Sequence, residues 1–162
     1  AANTADWLLV DIYDAEAWGP VYDDVPFYRL CKKALTDGGI SSYNVFGGED
    51  FTKSLDNISK AFDGQVLVTP DVAEGNRIIL AKKGPKETYS VELLDQRASE
   101  LQASRHLPAK KIWKKLKQEN NLKGEFEFLD FFGSGGSRFF SLYSQYCSIG
   151  HFQHSGFLAL QI

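Results

Sequence analysis

Apolar residues run without a break from Trp7 to Val10. The run lacks the two-residue alternation of a strand with one wet face, so it predicts a short strand buried on both sides, as in a parallel sheet, ending at Asp11. From Val25 to Leu35 the apolar positions are Phe27, Leu30, Cys31, Ala34 and Leu35. That three-and-four spacing predicts an amphipathic helix, with Asp24 as its N-cap and Pro26 in its first turn. Asp37, Gly38 and Gly39 are placed to stop it. The segment Ile40–Phe46 (ISSYNVF) reads as a second strand running into Gly47 and Gly48, and helical spacing returns over Asp50–Phe62 at Phe51, Leu55, Ile58, Ala61 and Phe62.

Gln65–Thr69 (QVLVT) and Arg77–Ala81 (RIILA) read as two more strands. The connection between them, Pro70 to Asn76, is too short for a helical crossover, so this pair is expected to be antiparallel. Val91–Arg105 then reads as a helix, Pro108 interrupts, and Ala109–Glu119 reads as a basic helix with Ile112, Trp113 and Leu116 on one face. From Gly124 the character changes: the last 39 residues hold eight phenylalanines, four charged residues and a GSGGS stretch at Gly133–Ser137. That stretch reads as a flexible linker, and the whole tail as added strands, a packing arm or sequence foreign to the rest, such as an altered reading frame. The expectation is α/β: strand, helix, strand, helix, an antiparallel hairpin, then helices over 1–120, with 121–162 as an aromatic, low-charge extension.

With 162 residues and 43% apolar content the chain has the makeup of one globular domain. No apolar run approaches the roughly 20 residues of a membrane span, and no basic and apolar leader opens the sequence, so a cytoplasmic setting is expected. Cys31 and Cys147 make no disulfide framework and read as reduced thiols. Methionine is absent throughout, which reads as a processed chain or a piece of a longer one. Charge is uneven: residues 1–100 hold 10 basic and 17 acidic side chains, residues 101–123 hold 7 and 1. An acidic first hundred residues favours cationic ligands and disfavours nucleic acid.

Asp11, Asp14 and Glu16 follow the first strand within six residues. In open α/β sheets ligands bind at the carboxyl ends of the parallel strands, where these carboxylates stand. Such carboxylates suit two tasks, holding a cationic ligand and taking a proton from an ammonium group so that the amine becomes a nucleophile. A pair of aspartates after a strand is also what an Asx turn or a cap looks like, and spacing alone does not separate the two. Three carboxylates on one loop without a second cluster make a poor divalent-metal site, and none is expected.

The stretch LLVDIYD, with Gly19 and Pro20 after it and then VPFYRLCKKALTDGGISSYNVFG, resembles the second half of the spermidine synthases and their bacterial relatives. These are polyamine aminopropyltransferases on a class I methyltransferase-like, Rossmann-like fold. The shared pattern is a strand ending in D-x-x-D, a Gly-Pro a few residues on, a helix with an aromatic pair, then L-x-x-G-G leading into a strand. EGNRIILAKKGP is similar to the last strand of that fold's antiparallel hairpin, and the resemblance runs from Ala5 to about Asn120. It implies aminopropyl transfer from decarboxylated S-adenosylmethionine, a co-substrate, to a diamine such as putrescine, with no tightly bound cofactor. By the family pattern Asp11 is the proton acceptor and Asp14 holds the diamine. The resemblance further implies Tyr13 beside the diamine's methylenes and Pro20 near the thioadenosine, although five residues separate Asp14 from Pro20 where common members have three.

The glycine-rich turn and the acidic residue that bind the nucleoside in this family lie upstream of the D-x-x-D strand, and the glycine clusters here do not form that turn. The chain thus reads as half a site, completed by a missing N-terminal half or by another copy. A degenerate methyltransferase-fold domain and a non-catalytic interaction module using an exposed sheet edge are the alternatives. The remaining candidates have plain explanations: His151 and His154 lack a third ligand and a helical setting. Lys110, Lys111, Lys114, Lys115 and Lys117 make a solvated basic face, Cys31 is on a core-facing stripe, and Ser134 and Ser137 have no base nearby in sequence.

Overall fold

A computed structural model describes residues 2–11, 13, 22–46, 49–70 and 75–128. Its elements are β1 (Ala5–Val10), α1 (Val25–Ala34), β2 (Leu35–Phe46), α2 (Glu49–Ala61), β3 (Val66–Val68), β4 (Asn76–Lys82), β5 (Tyr89–Ser90), α3 (Val91–Arg105), α4 (Ala109–Glu119) and β6 (Glu125–Phe126). Four strands form one sheet in the order β1-β2-β4-β3. β1 and β2 are parallel, and β4 runs antiparallel to both β2 and β3. The class is α/β as expected: a parallel strand–helix–strand unit, a terminal antiparallel hairpin, then helices. The hairpin is turned inward, so that β4 sits beside β2 and β3 takes the edge.

The register sorts the side chains. Leu8 and Val10 share a face with Ser41, Tyr43 and Val45 of β2, Ile79 and Ala81 of β4, and Val66 and Val68 of β3. Against that face pack Tyr28 and Cys31 of α1 and Phe51, Leu55, Ile58 and Ala61 of α2, with Phe62 just beyond it, in one continuous core. Tyr28, Tyr43 and Phe62 meet edge-on with ring centroids 5.1 and 6.2 Å apart, the geometry aromatic quadrupoles favour.

Three expectations are corrected by this packing. β1 is not buried on both faces: Trp7 is 67% and Leu9 64% exposed, because among the described residues β1 pairs only with β2 and the two helices cover only the Leu8–Val10 side. Leu30 does not join the core and is 66% exposed, while Tyr28 is buried. Two residues turn a helix through roughly 200°, so a face centred between Tyr28 and Cys31 leaves Leu30 outside. On α4, Ile112 is exposed although Trp113 and Leu116 are half-buried.

The end of α1 also differs. Asp24 caps its start as expected, its carboxylate accepting from the Phe27 N–H at 2.8 Å. Its end does not wait for Asp37–Gly39: the helix stops at Ala34 and Leu35 already begins β2. The N–H groups of Asn3 and Thr4 donate to the carbonyls of Lys33 and Ala34 at 3.0 and 2.8 Å, supplying partners that the last helical turn lacks. Gly38 and Gly39 serve an irregular stretch inside β2, between the Ala5–Leu35 and Trp7–Ile40 pairs. A Cβ on Gly39 would stand 2.9 Å from the Thr36 carbonyl oxygen and 3.2 Å from that of Ala5.

Beyond the sheet, α3 and α4 span the expected residues. They are tied together through Asp95, which accepts from the Trp113 indole N–H at 2.9 Å and pairs with Lys117. β5 and β6 form a small antiparallel pair, linking the residues just past 120 to the start of α3. Within the described residues no helix is long and apolar enough to cross a membrane.

Candidate functional site

β1 and β2 are parallel, so both present their carboxyl ends to the same side of the sheet. The last register pair is Val10 with Tyr43, and one residue further along each strand stand Asp11 and Asn44. The Asn44 side-chain amide donates to Asp11 Oδ1 at 3.2 Å. Asp11 is half-buried, and its other carboxylate oxygen makes no hydrogen bond within the described residues.

Tyr13 continues where β1 leaves off. Its hydroxyl donates to the Asn44 carbonyl at 3.2 Å and accepts the Phe46 N–H at 2.9 Å, so a side chain occupies the edge of β2 beyond its last pairing with β1. Its ring meets Phe46 edge-on at 4.7 Å between centroids. Burial pushes the Tyr13 hydroxyl up to about 12; the Phe46 N–H opposes this, and the negative charges of Asp11 and Asp23 add to it. A phenol in that setting is a fixed neutral anchor at physiological pH.

Asp23 is a carboxylate that the sequence reading passed over. Its side chain is only 7% exposed and pairs with Lys53 at 3.2 Å. It also accepts from the Tyr28 hydroxyl at 2.9 Å, while its backbone carbonyl accepts from the Asn57 side chain at 3.0 Å. Burial first, then the adjacent Asp23, pushes the Tyr28 hydroxyl far up. Its signal in the sequence is one of place: Asp23 precedes the cap of α1, where the chain returns to the strand ends. Asn44 had a signal too, a lone amide near the end of an otherwise strand-like run.

The structure therefore brings Asp11, Tyr13 and Asn44 together, with Asp23 close enough to act on the same tyrosine. Asp14, Glu16, Gly19 and Pro20 lie outside the described residues, as do Gly47, Gly48, Ser134, Ser137, Cys147, His151 and His154. Cys31 faces the core, and burial pushes its thiol up, away from the thiolate a nucleophile needs. Lys110, Lys111, Lys114 and Lys115 are exposed on α4. Among the described residues no three His, Cys, Asp or Glu side chains converge as metal ligands would. The arrangement offers carboxylate charge at a sheet mouth, one carboxylate hydrogen-bonded to an amide, and no described cation beside Asp11.

No family model matches the chain. Curated relatives do: it is 27% identical over 124 residues to the polyamine aminopropyltransferases of Neisseria meningitidis serogroups A and B, covering 76% of this chain and 47% of theirs. To the polyamine aminopropyltransferase of Chromobacterium violaceum it is 27% identical over 119 residues, covering 73% of this chain and 46% of that one. The chain spans about half the length of the curated relatives it matches. Among solved structures it is similar to a probable spermidine synthase from Corynebacterium glutamicum, with a TM-score of 0.46 and 16% identity over 99% of this chain and 51% of that chain. The spermidine synthase-like resemblance read from the sequence is borne out by the curated relatives.

Proposed function

We propose that this spermidine synthase-like chain carries the amine-activating part of an aminopropyltransferase site, with residues 1–120 as the α/β part and 121–162 as an extension. The observation that supports this most is the Asp11 carboxylate, half-buried at the carboxyl end of a parallel strand and hydrogen-bonded to the Asn44 amide. In this reading Asp11 takes a proton from one ammonium group of a diamine such as putrescine. The freed nitrogen lone pair attacks the aminopropyl carbon bonded to the sulfonium of decarboxylated S-adenosylmethionine. A C–N bond forms as the C–S bond breaks, and its electron pair stays on sulfur as a neutral thioether. Asp11 later gives its proton to solvent.

Asp14 holds the distant ammonium, Tyr13 flanks the methylenes and Pro20 borders the thioadenosine. The co-substrate carries the only activated group, and no tightly bound cofactor takes part. Polypeptide that binds the nucleoside, the missing half or a second copy, completes the site in the cytoplasm.

Asp11→Asn is the test. Transfer should fall by about 10²–10⁴-fold, the share a general base supplies, with the fold intact by circular dichroism. Transfer that survives the substitution would remove Asp11 from the mechanism. Calorimetric titration of this chain alone with the thioadenosine product should show weak binding, and tight binding would mean that these residues already build the nucleoside pocket.

The interaction-module alternative has one observation in its favour, the exposed Trp7 and Leu9 on a strand paired only with β2 among the described residues. It predicts that association, measured by gel filtration, is unchanged in Asp11→Asn. A well-behaved monomer counts against it.

A further inference from the structure

We propose that Asn44 is a positioning residue, which aims the Asp11 carboxylate and holds Asp11 and Tyr13 against the end of the sheet. The inference rests on the aminopropyl-transfer reading and adds to it a residue outside the D-x-x-D stretch. Asn44 touches these two residues through two different groups. Its side-chain Nδ2 donates to Asp11 Oδ1 at 3.2 Å, and its backbone carbonyl accepts from the Tyr13 hydroxyl at 3.2 Å.

The arm that reaches Asp11 is short and its base is rigid. Asn44 lies in β2, an interior strand, where it is paired with Ile78 of β4 while its neighbour Tyr43 is paired with both Val10 and Ile79. An Asn side chain has two rotatable bonds, so little freedom separates that backbone from the hydrogen bond. A carboxylate is planar: holding Oδ1 fixes the plane and turns Oδ2 to one direction. Proton transfer requires the acceptor within hydrogen-bond reach of the reacting nitrogen, and small misplacements at such contacts cost large factors in rate. An amide achieves the aim without bringing a charge. A lysine or arginine at position 44 would also orient Asp11, but its positive charge would repel the ammonium substrate.

The purely structural explanation is that Asn44 ties two strand ends together. The two explanations part in kinetics. Transfer to putrescine is measured on the whole protein for wild type, Asn44→Leu and Asn44→Gln, with thermal unfolding followed for each. Asn44→Leu keeps the branched shape at Cγ and removes the donor; it should lower kcat by about 10–100-fold while KM for putrescine stays within about threefold. Asn44→Gln, which retains the amide, should recover part of that loss. A loss carried by KM alone, an unchanged kcat, or no rescue by Gln at equal stability overturns the positioning role.

The contact itself is read without activity. In nitrogen-edited NMR of this chain the Asn44 side-chain amide should shift on Asp11→Ala, and an unmoved resonance overturns the proposal. Wild-type protein that shows the contact but no transfer overturns the aminopropyl-transfer reading and with it the catalytic purpose of Asn44. Active wild type with an indifferent Asn44→Leu overturns the positioning role alone.

Discussion

The side-chain amide of Asn120 lies against the backbone of Val68 as a further strand residue would, its Oδ1 accepting the Val68 N–H at 2.9 Å and its Nδ2 donating to the Val68 carbonyl at 2.7 Å. Val68 belongs to β3, the edge of the sheet away from β1. One amide thus closes both backbone groups of a residue that would otherwise present them unpaired, and it docks the end of α4 onto the sheet. The Arg77–Glu119 ion pair joins the same two regions one residue earlier in α4.

Asn120→Leu should therefore destabilise the protein by about 2–4 kcal/mol, because it strands a buried donor and a buried acceptor at once. Denaturant unfolding measures this. A loss below about 0.5 kcal/mol would show that the edge of β3 is satisfied by other means.

Alkaline pH should release the anchor at the mouth of the site. The Tyr13 hydroxyl is raised to about 12 from 10.0, and burial raises Tyr28 and Tyr43 in the same direction. Each raised group favours its protonated form in the folded state. Its contribution is complete below the unfolded value near 10 and is lost as pH climbs through the folded one. Stability should hold to about pH 10 and then fall, and in Tyr13→Phe the part of the fall between pH 10 and 12 should shrink. Ultraviolet absorbance of tyrosinate, followed with circular dichroism, separates ionisation from unfolding.

Two helical positions, one buried on α2 and one on the corrected outer face of α1, yield substitutions with opposite outcomes. Ile58→Ala empties a fully buried position and should cost about 2–5 kcal/mol. Leu30→Ser changes an exposed one and should stay within about 0.5 kcal/mol of wild type. Equal costs would mean that Leu30 is covered in solution.

Gly39→Ala should cost about 1–3 kcal/mol, since the added methyl meets two backbone carbonyl oxygens that cannot rotate away. Thermal unfolding of the variant checks this, and an unchanged melting temperature would show that the irregular start of β2 yields easily.

Much of the architecture was legible because it is local. Three-and-four spacing with Asp24 ahead of Pro26 marks α1, the same spacing marks α2, and Pro108 divides α3 from α4 at the expected residues. Chain geometry made the β3–β4 pair antiparallel, since the connection is too short for anything else. The placement of Asp11 at a strand's carboxyl end was likewise readable.

What the residues could not disclose depends on which elements become neighbours. Nothing in WLLV distinguishes a strand sandwiched between layers from one with a bare face; that was decided by α1 and α2 both packing on the Leu8–Val10 side. The choice of Tyr28 over Leu30 as a core residue depends on the rotation at which α1 meets the sheet. Asn44 and Asp11 are 33 residues apart and Asn120 and Val68 52, too far for any spacing rule to link them. By itself the sequence determined the four helices, the four strands of the main sheet, their order and the carboxylate at the first strand's end. Only the tertiary structure decided which amides meet which partners, because a hydrogen bond across a sheet is a property of register, and register exists only once the strands have paired.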